Sequence, residues 1–463
     1  MPWRAGDRNV GTVSTRHSMS TADAAWLRMD RPTNLMIVNS VLWFDEPVDW
    51  ERCRSLFVER VVERFDRFRQ RADQGFPLVG PHWEDDPDFD PDLHFHHMAL
   101  PAPGDRAALQ DFIGDRIATT LDHSRPLWEV YFIDGYGSGC AILVRIHHSV
   151  ADGIALGRVM LALTDGGEPD AGIADDADHD GSARKHALGS AARLTAAVVH
   201  EGVEALLHPV HAGELASAAS GGAQTLAKLL LPGADPTSVI KGQQSVAHRV
   251  AWSAPVPLSR VKRAGRTHDA TVNDILVAAV TGAVGRHLRE GGDDIAEVHA
   301  LVPFNLRPLD EPLPPELGNR FGLVLLGLPV GIEDPGARLA EVKRRMDAIK
   351  DSHEGALSFG ILSLMGSTPV RVERALIDFF TAKGSIVLTN VPGPRKRLSL
   401  AGTPLGGVLV WAPCSGSVGM SVSVFSYAGE VTVGFMADAG LVPDPQELAD
   451  GFTHDLLALA RAA

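Results

Sequence analysis

The chain has 463 residues and a formal net charge of -15 at pH 7. One hydrophobic core seldom serves that length, and the charge argues against a nucleic-acid binder or a protein held on anionic lipid by charge alone. Hydrophobic residues make up 45% and charged residues 22%, so the chain is expected to fold rather than stay disordered.

In chain order, residues 1–17 read as a flexible tail with no apolar core of a signal peptide. Ser20 to Asp23 can cap a short helix through Trp26 and Leu27. Segment 36–44 is strand-like. Residues 50–68 carry apolar positions at threes and fours (Cys53, Leu56, Phe57, Val61, Phe65), which predicts a helix. Residues 75–105, rich in Pro, Asp and His, read as an extended loop, and His94, His96 and His97 within it as surface residues. A helix is expected over 107–120.

Strands are predicted at 127–134 and 140–148, joined by Gly135-Tyr136-Gly137-Ser138-Gly139 as an antiparallel hairpin. A helix follows over 154–164, with Leu156, Val159, Met160 and Leu163 on one face. Residues 165–187 read as an acidic, solvated linker, and the Ala- and Leu-rich 188–231 as helical. Beyond 245, strands are predicted at 248–253, 296–303, 321–328, 385–390 and 408–412, with a hairpin of 420–427 and 430–437. Helices are predicted at 273–289, 335–352 and 445–461. This mixture points to an α/β protein with a mixed sheet in each half. The expected division is 18–164, a linking segment 165–244, and 245–463. The stretch 398–429 is uncharged, but Pro404, Pro413 and several glycines interrupt it, so it is not expected to span a membrane. Cys53, Cys140 and Cys414 lie far apart with no CxxC pair. They suggest neither a disulfide framework nor a zinc finger, and fit a reducing cytoplasm.

His147-His148-Ser149-Val150-Ala151-Asp152-Gly153 ends the second hairpin strand. Successive strand side chains point to opposite faces, so one histidine should work and the other support. An imidazole with an ordinary pKa of about 6.5 can take a proton at neutral pH. Asp152 can cap the next helix or pair with an arginine, and Gly153 permits a tight turn and close backbone approach. Two histidines alone are more often satisfied core residues; followed by xxxDG at a strand end they favour chemistry. A metal site is disfavoured, because the HxxxD residues lie on a strand and a turn rather than one helix face. No GxSxG is present, as a hydrolase-type serine acyl-enzyme would favour. Asn273 and Asp274 open a predicted helix, where Asn is a good cap and Asp suits the first turn. Arg395, Lys396 and Arg397 cluster in a turn, where solvated charges are the commoner explanation and phosphate contact the rarer one.

HHSVADG matches the HHxxxDG signature of the CoA-dependent acyltransferase superfamily. The chain more specifically resembles the bacterial wax ester synthase/diacylglycerol acyltransferase family, from about Met19 to Leu459. Supporting segments are 22–27 (ADAAWL), 126–129 (PLWE), 271–274 (TVND), 302–308 (VPFNLRP), 317–320 (LGNR) and 389–394 (TNVPGP). The resemblance implies two chloramphenicol-acetyltransferase-like halves with an active-site tunnel at their junction. It implies that His148 deprotonates an acceptor hydroxyl, with His147, Asp152, Gly153 and Asn273 in the catalytic group. Pro126, Trp128, Asp274, Asn390 and Arg395 are the implied substrate contacts, Pro126 and Trp128 as strand braces first. Arg307 or Arg320 is implied as the partner of Asp152. The implied donor is a long-chain acyl-CoA, used as co-substrate with no permanently bound cofactor or metal. The implied acceptor is diacylglycerol or a long-chain alcohol. A cytoplasmic protein resting peripherally on the inner membrane face or on lipid droplets, with 188–231 as a lipid-facing surface, is the matching expectation. The rival readings are a related acyltransferase acting on a polyketide or glycolipid hydroxyl, and a non-catalytic lipid-binding protein of the same fold.

Overall fold

The computed structural model describes residues 16–75, 80–166, 233–305, 307, 311–350, 377–414 and 416–461. The first half runs β1 (Arg16–Ser18), α1 (Thr21–Met29), β2 (Ile37–Phe44), α2 (Trp50–Phe57), β3 (Gln70–Asp73) and β4 (His82–Asp85). It continues with β5 (Phe95–Ala99), α3 (Arg106–Ile117), β6 (Trp128–Tyr136), β7 (Gly139–His147) and α4 (Gly153–Leu163). The second half opens with β8 (His248–Trp252), β9 (Val256–Pro257), α5 (Leu258–Thr267), α6 (Val272–Glu290), β10 (Val298–Asn305), β11 (Phe321–Leu328) and α7 (Pro335–Lys350). It closes with β12 (Ile386–Pro392), β13 (Ser399–Leu400), β14 (Thr403–Trp411), β15 (Met420–Tyr427), β16 (Glu430–Asp438) and α8 (Gln446–Arg461).

Both large sheets are mixed, as expected. The first has the order β13-β14-β2-β7-β6-β5, antiparallel throughout except for the parallel pair β5 and β6. The second has the order β11-β10-β12-β15-β16-β8, with β9 also pairing β16, and β12 runs parallel to both β10 and β15. The predicted hairpin is present, with Trp128 opposite Ile146 and Val130 opposite Val144.

The expected split at 244/245 does not separate the sheets. β14, predicted as a strand of the second half, pairs antiparallel with β2 of the first, Leu409 opposite Val41. A strand pattern read along the chain carries no information about which sheet receives it. Alternation explains how the halves then stack. On β16, Val431, Val433, Phe435 and Ala437 face a core shared with α5, α6 and α8. Met436, one residue out of step, joins the core of the first half. Trp43, Trp252 and Trp411 meet at this contact, with Trp43 and Trp252 stacked at 6.0 Å. Glycines make room for the rings: a Cβ on Gly434 would lie 2.7 Å from Trp411 Nε1, and one on Gly407 would overlap the Trp43 ring at 2.0 Å.

Several local expectations change. The helix predicted over 50–68 stays α-helical only to Phe57, then widens into a π-helical turn over Val58–Val62 and ends in a 3-10 turn over Asp66–Phe68. The wider turn lets adjacent Val61 and Val62 both face the core. The loop expected over 75–105 contains β4, a 3-10 turn at Pro91–His94 and the edge strand β5. The polar sequence of β5 suits an exposed edge and so hides its strand signal. Residues 16 and 17 of the expected tail pair with β4 instead. The helix expected over 188–231 and nearly all of the linker expected over 165–187 lie outside the described residues. Among the described residues, no helix is long and apolar enough to cross a membrane.

Candidate active site

β7 ends at His147, and the next residue, His148, still donates its backbone N–H to Met36 O at 2.7 Å. Strand alternation therefore persists to the motif, and the two imidazoles have different neighbours. His148 is 6% exposed. Its ring stacks on Trp26 of α1 at 4.2 Å and 19°, and lies 5.4 Å from Phe321 of β11. Its Nδ1 sits 3.0 Å from Asn319 Oδ1.

Asn319 is itself fixed from two sides. Its Nδ2 donates to His148 O at 2.8 Å and to Asp23 Oδ1 at 2.7 Å. Its backbone N–H donates to Asp23 Oδ1 as well, at 3.1 Å. With both side-chain protons committed to acceptors, Oδ1 is the atom left for His148, and an oxygen there requires a proton on Nδ1. The neutral ring therefore carries its free lone pair on Nε2. Burial pushes the His148 pKa down to about 4, against smaller raising effects that include Asp152 and Asn319. The ring is thus neutral at physiological pH. Burial also raises the Asp23 carboxyl, outweighing the lowering by its bonds to Asn319 and Ser20.

His147 is fully buried and turned to other partners. Ser149 N donates to its Nδ1 at 3.1 Å, and Ser149 Oγ lies 2.7 Å from the same atom. The accepting Nδ1 places the His147 proton on Nε2, which lies 3.2 Å from Asp30 Oδ2. Asp30 also faces His123 Nε2 at 3.4 Å and accepts the Met36 N–H at 2.6 Å. Burial acts to raise the Asp30 carboxyl, but these hydrogen bonds together hold it well below the usual carboxylate range. His147 therefore anchors the strand end to the start of β2. Ser149 is fully buried, and its hydroxyl is held by His147.

Asp152 performs both functions suggested for it. Oδ1 caps α4 by accepting Ala155 N–H at 2.8 Å. Oδ2 accepts the backbone N–H of Arg320 at 3.0 Å and faces the buried Arg307 guanidinium at 3.7 Å. Arg307 also donates to Gly318 O at 3.0 Å. Arg307 is thus the charged partner of Asp152, while the Arg320 side chain points to an exposed pair with Glu311. Segment 317–320 docks along the motif loop: Gly318 N bonds Val150 O at 3.1 Å, and Gly318 bridges Ala151. Gly318 has φ +88°, a conformation glycine adopts without strain. Gly153 does not adopt a left-handed conformation, and a Cβ there would meet nothing within 4 Å. The tight turn expected of it is absent.

The other predicted residues divide. Thr271, not Asn273, caps α6, and Asp274 completes a capping box by accepting Thr271 N–H at 2.9 Å. That spends one Asp274 oxygen on structure. Asn273 instead accepts from Asn390 Nδ2 at 2.7 Å, joining α6 to β12. Among the described residues no hydrogen bond links that pair to His148. Pro126 and Trp128 are buried. Trp128 donates Nε1–H to Phe68 O at 3.0 Å and stacks on Phe57 and His94, which is the bracing role. His94 is buried beneath it, bonding Trp128 O at 2.8 Å, rather than on the surface as its loop suggested. Arg395, Lys396 and Arg397 are exposed. Asp73, His82 and Glu84 could together offer ligands to a metal ion, but Arg71 at 2.6 Å and Arg16 at 3.6 Å already neutralise Glu84.

Reading the motif alone misses Asp23, Trp26, Asn319 and Phe321. Asp23, Trp26 and Asn319 lie within 22–27 and 317–320, which matched the family but named no role, and Phe321 lies one residue beyond.

A buried histidine with one free nitrogen, held where two α/β halves meet, defines an acyltransferase of the HHxxxDG type. Residues 19–276 match the wax ester synthase/diacylglycerol acyltransferase catalytic domain, and residues 317–460 the WS/DGAT C-terminal domain. The chain belongs to this family. It is 31% identical over 452 residues to tgs1 of Mycobacterium tuberculosis H37Rv, described as a probable diacylglycerol O-acyltransferase, covering 94% of this chain and 93% of that one. In fold it is similar to the wax ester synthase/diacylglycerol acyltransferase of Marinobacter aquaeolei VT8 (TM-score 0.68, 21% identity, 96% and 99% of the two chains). It is similar also to the first condensation domain of the calcium-dependent antibiotic synthetase (TM-score 0.62, 16% identity, 96% of each chain).

Proposed function

We propose that this acyltransferase moves a long-chain acyl group from acyl-CoA to the hydroxyl of diacylglycerol or a long-chain alcohol, with His148 Nε2 as the base. The observation that carries the reading is the network at Asn319, which leaves a neutral imidazole with its lone pair on Nε2. A hydroxyl is far too weak an acid to react at neutral pH without such help.

In the step, the acceptor O–H proton passes to Nε2 as the oxygen attacks the thioester carbonyl carbon. The tetrahedral oxyanion then collapses, the C–S bond breaks, and the imidazolium returns its proton to the leaving thiolate. Ester and free CoA result, and no acyl-enzyme forms. Burial disfavours the imidazolium; the carboxylate of Asp152 and the Asn319 oxygen offset part of that cost while the proton is held. Asp152 also holds the loop through the α4 cap and Arg307. Gly153, exposed at the start of α4, lets a substrate approach the backbone. Asn273 and Asn390 form a polar pair suited to the acceptor side.

The neutral-lipid acceptor rests on the family. The test supplies palmitoyl-CoA with diacylglycerol and hexadecanol together and identifies the products. Triacylglycerol or wax ester is expected. Palmitate release without ester, or acyl transfer confined to a glycolipid or polyketide acceptor supplied in parallel, would refute this acceptor assignment.

A further inference from the structure

The net charge of -15 is unevenly spread. α5 carries Arg260, Lys262, Arg263 and Arg266 and no acid. Its apolar side, Val261, Ala264 and Gly265, is buried. Its exposed residues are Ser259, Arg260, Arg263, Arg266 and Thr267, so the whole outward face bears guanidinium or hydroxyl groups. Arginines at 260, 263 and 266 recur every third residue, which sets them in one stripe about 9 Å long.

The fold joins a second basic segment to this helix. Both dock on the tip of the β15-β16 hairpin. Leu258, the first residue of α5, donates its N–H to Gly429 O at 2.8 Å, and the neighbouring Ala428 N–H bonds Pro394 O at 2.9 Å. Arg395, Lys396 and Arg397 follow Pro394 and are exposed. Glu430, exposed at the same tip, offsets one of these charges. Among the described residues, Arg260, Arg263, Arg266, Lys396 and Arg397 have no ion pair. Like charges gathered in this way repel one another, and an external anion relieves the repulsion.

The shape of the array decides which anion. A compact phosphate is held by donors that converge on it, often with backbone N–H groups among them. Here the cations stand side by side on the outward faces of a helix and a turn, which matches an extended anionic surface instead. Lys and Arg side chains add to the attraction of an anionic bilayer within about one Debye length, roughly 8 Å at physiological salt. Acids elsewhere on the chain are screened over the same distance, so the total charge does not cancel the local attraction. The patch also has a defined position. Asn273 follows the last residue of α5 by six and Asn390 precedes Arg395 by five, and the two side chains meet at 2.7 Å. The polar pair assigned above to the acceptor side thus lies between the two basic segments.

We propose that α5 and the 395–397 turn form a docking face for a bilayer containing anionic phospholipid, which sets the Asn273–Asn390 end of the protein against the lipid surface. The contact stands on the charges alone; its use in collecting a lipid acceptor rests on the acceptor reading above.

The test sediments the full chain with vesicles of phosphatidylglycerol and phosphatidylcholine in equal parts, or of phosphatidylcholine alone. Wild type should bind the anionic vesicles only, and release them when salt rises from about 0.1 to 1 M, where the screening length falls from about 10 to 3 Å. Arg260→Glu/Arg263→Glu and Lys396→Glu/Arg397→Glu should each weaken binding by about tenfold or more. Arg52→Glu/Arg106→Glu, the same charge change at exposed sites in the first half, should not. Equal binding to both vesicle types, binding that survives high salt, or equal losses in all three variants would overturn the proposal. Palmitoyl-CoA transfer to dissolved octanol separates a lipid surface from the phosphates of CoA. Its KM for palmitoyl-CoA should stay within about twofold of wild type in both patch variants, while transfer to diacylglycerol carried in anionic vesicles falls. A tenfold rise in that KM with unchanged vesicle binding would give the patch to CoA and overturn the docking face. Charge-dependent vesicle binding by a wild type that esterifies no lipid acceptor would sustain the docking face and refute the acceptor reading.

Discussion

His148, the proposed base, depends on side chains far from it in sequence. Asn319 is 171 residues away and Asp23 lies 296 residues from Asn319. Removing the Asn319 amide leaves Nδ1 without its partner and frees the ring to choose its tautomer. Losing a buried hydrogen-bond partner costs about 1–3 kcal/mol. Asn319→Ala should therefore lower kcat by roughly 10- to 100-fold with a much smaller change in KM; a loss seen only in KM would contradict the positioning role. The pH dependence follows from the depressed His148 pKa. The base must be neutral to work, so kcat/KM should fall in acid with a midpoint near the free-enzyme value of about 4, not near the ordinary 6.5. A profile with an acidic limb at 6.5 or higher would count against this environment. The same shift affects stability. The unfolded chain binds this proton more readily than the folded one between those two values, so the contribution is complete above 6.5 and lost as pH falls toward 4. Urea titrations of wild type and His148→Gln across that window should show a flatter pH slope for the variant.

Residue identity within the motif was legible because HHxxxDG encodes a strand end, a turn and a helix cap in seven consecutive positions. Asp23 was not. At the third position after Ser20 it reads as an ordinary first-turn acid, and its backbone N–H does bond Ser20 Oγ at 3.1 Å, while the carboxylate turns to Asn319. Nothing local distinguishes the two uses.

Among elements, α4 couples the motif to the fold. Asp152 caps it, faces Arg307, and accepts from the backbone of Arg320, so one carboxylate ties β7, α4 and segment 317–320 together. Asp152→Asn retains an oxygen for the cap but removes the charge opposite a guanidinium that is 1% exposed. Breaking one side of a buried pair typically costs about 3–5 kcal/mol. The midpoint of thermal unfolding should thus drop by more than cap loss alone would produce, which is ~1 kcal/mol, and Asp152→Asn/Arg307→Met should recover part of it. Equal melting of Asp152→Asn and wild type would show that the pair contributes little. Element type was read well where periodicity was long, as in α6 and α8, and poorly over 75–105. There β5 is a polar edge strand, and β4, paired on both sides and mostly buried, is only four residues long, so neither leaves an alternating signature.

At the scale of the molecule, the two sheets are interlocked rather than sequential. β14 leaves the second half to complete the first sheet, and the tryptophans at 43, 252 and 411 fill the contact. Sequence pattern predicted both mixed sheets but not this exchange, since β14 alternates equally well for either. Gly434→Val would force a side chain toward Trp411, already 2.7 Å from a bare Cβ. It should destabilise the protein by about 1–3 kcal/mol through overpacking, seen as a lower urea midpoint, while Gly429→Ala at an exposed turn offers a comparison where the cost comes from a φ of +84° alone.

The central claim is that His148 Nε2 removes the acceptor proton. The most direct measurement is single-turnover ester formation from palmitoyl-CoA by wild type and His148→Ala, with circular dichroism confirming that both are folded. The account predicts a loss of roughly 10²- to 10⁴-fold in the variant. Ester formation by His148→Ala at the wild-type rate would contradict it.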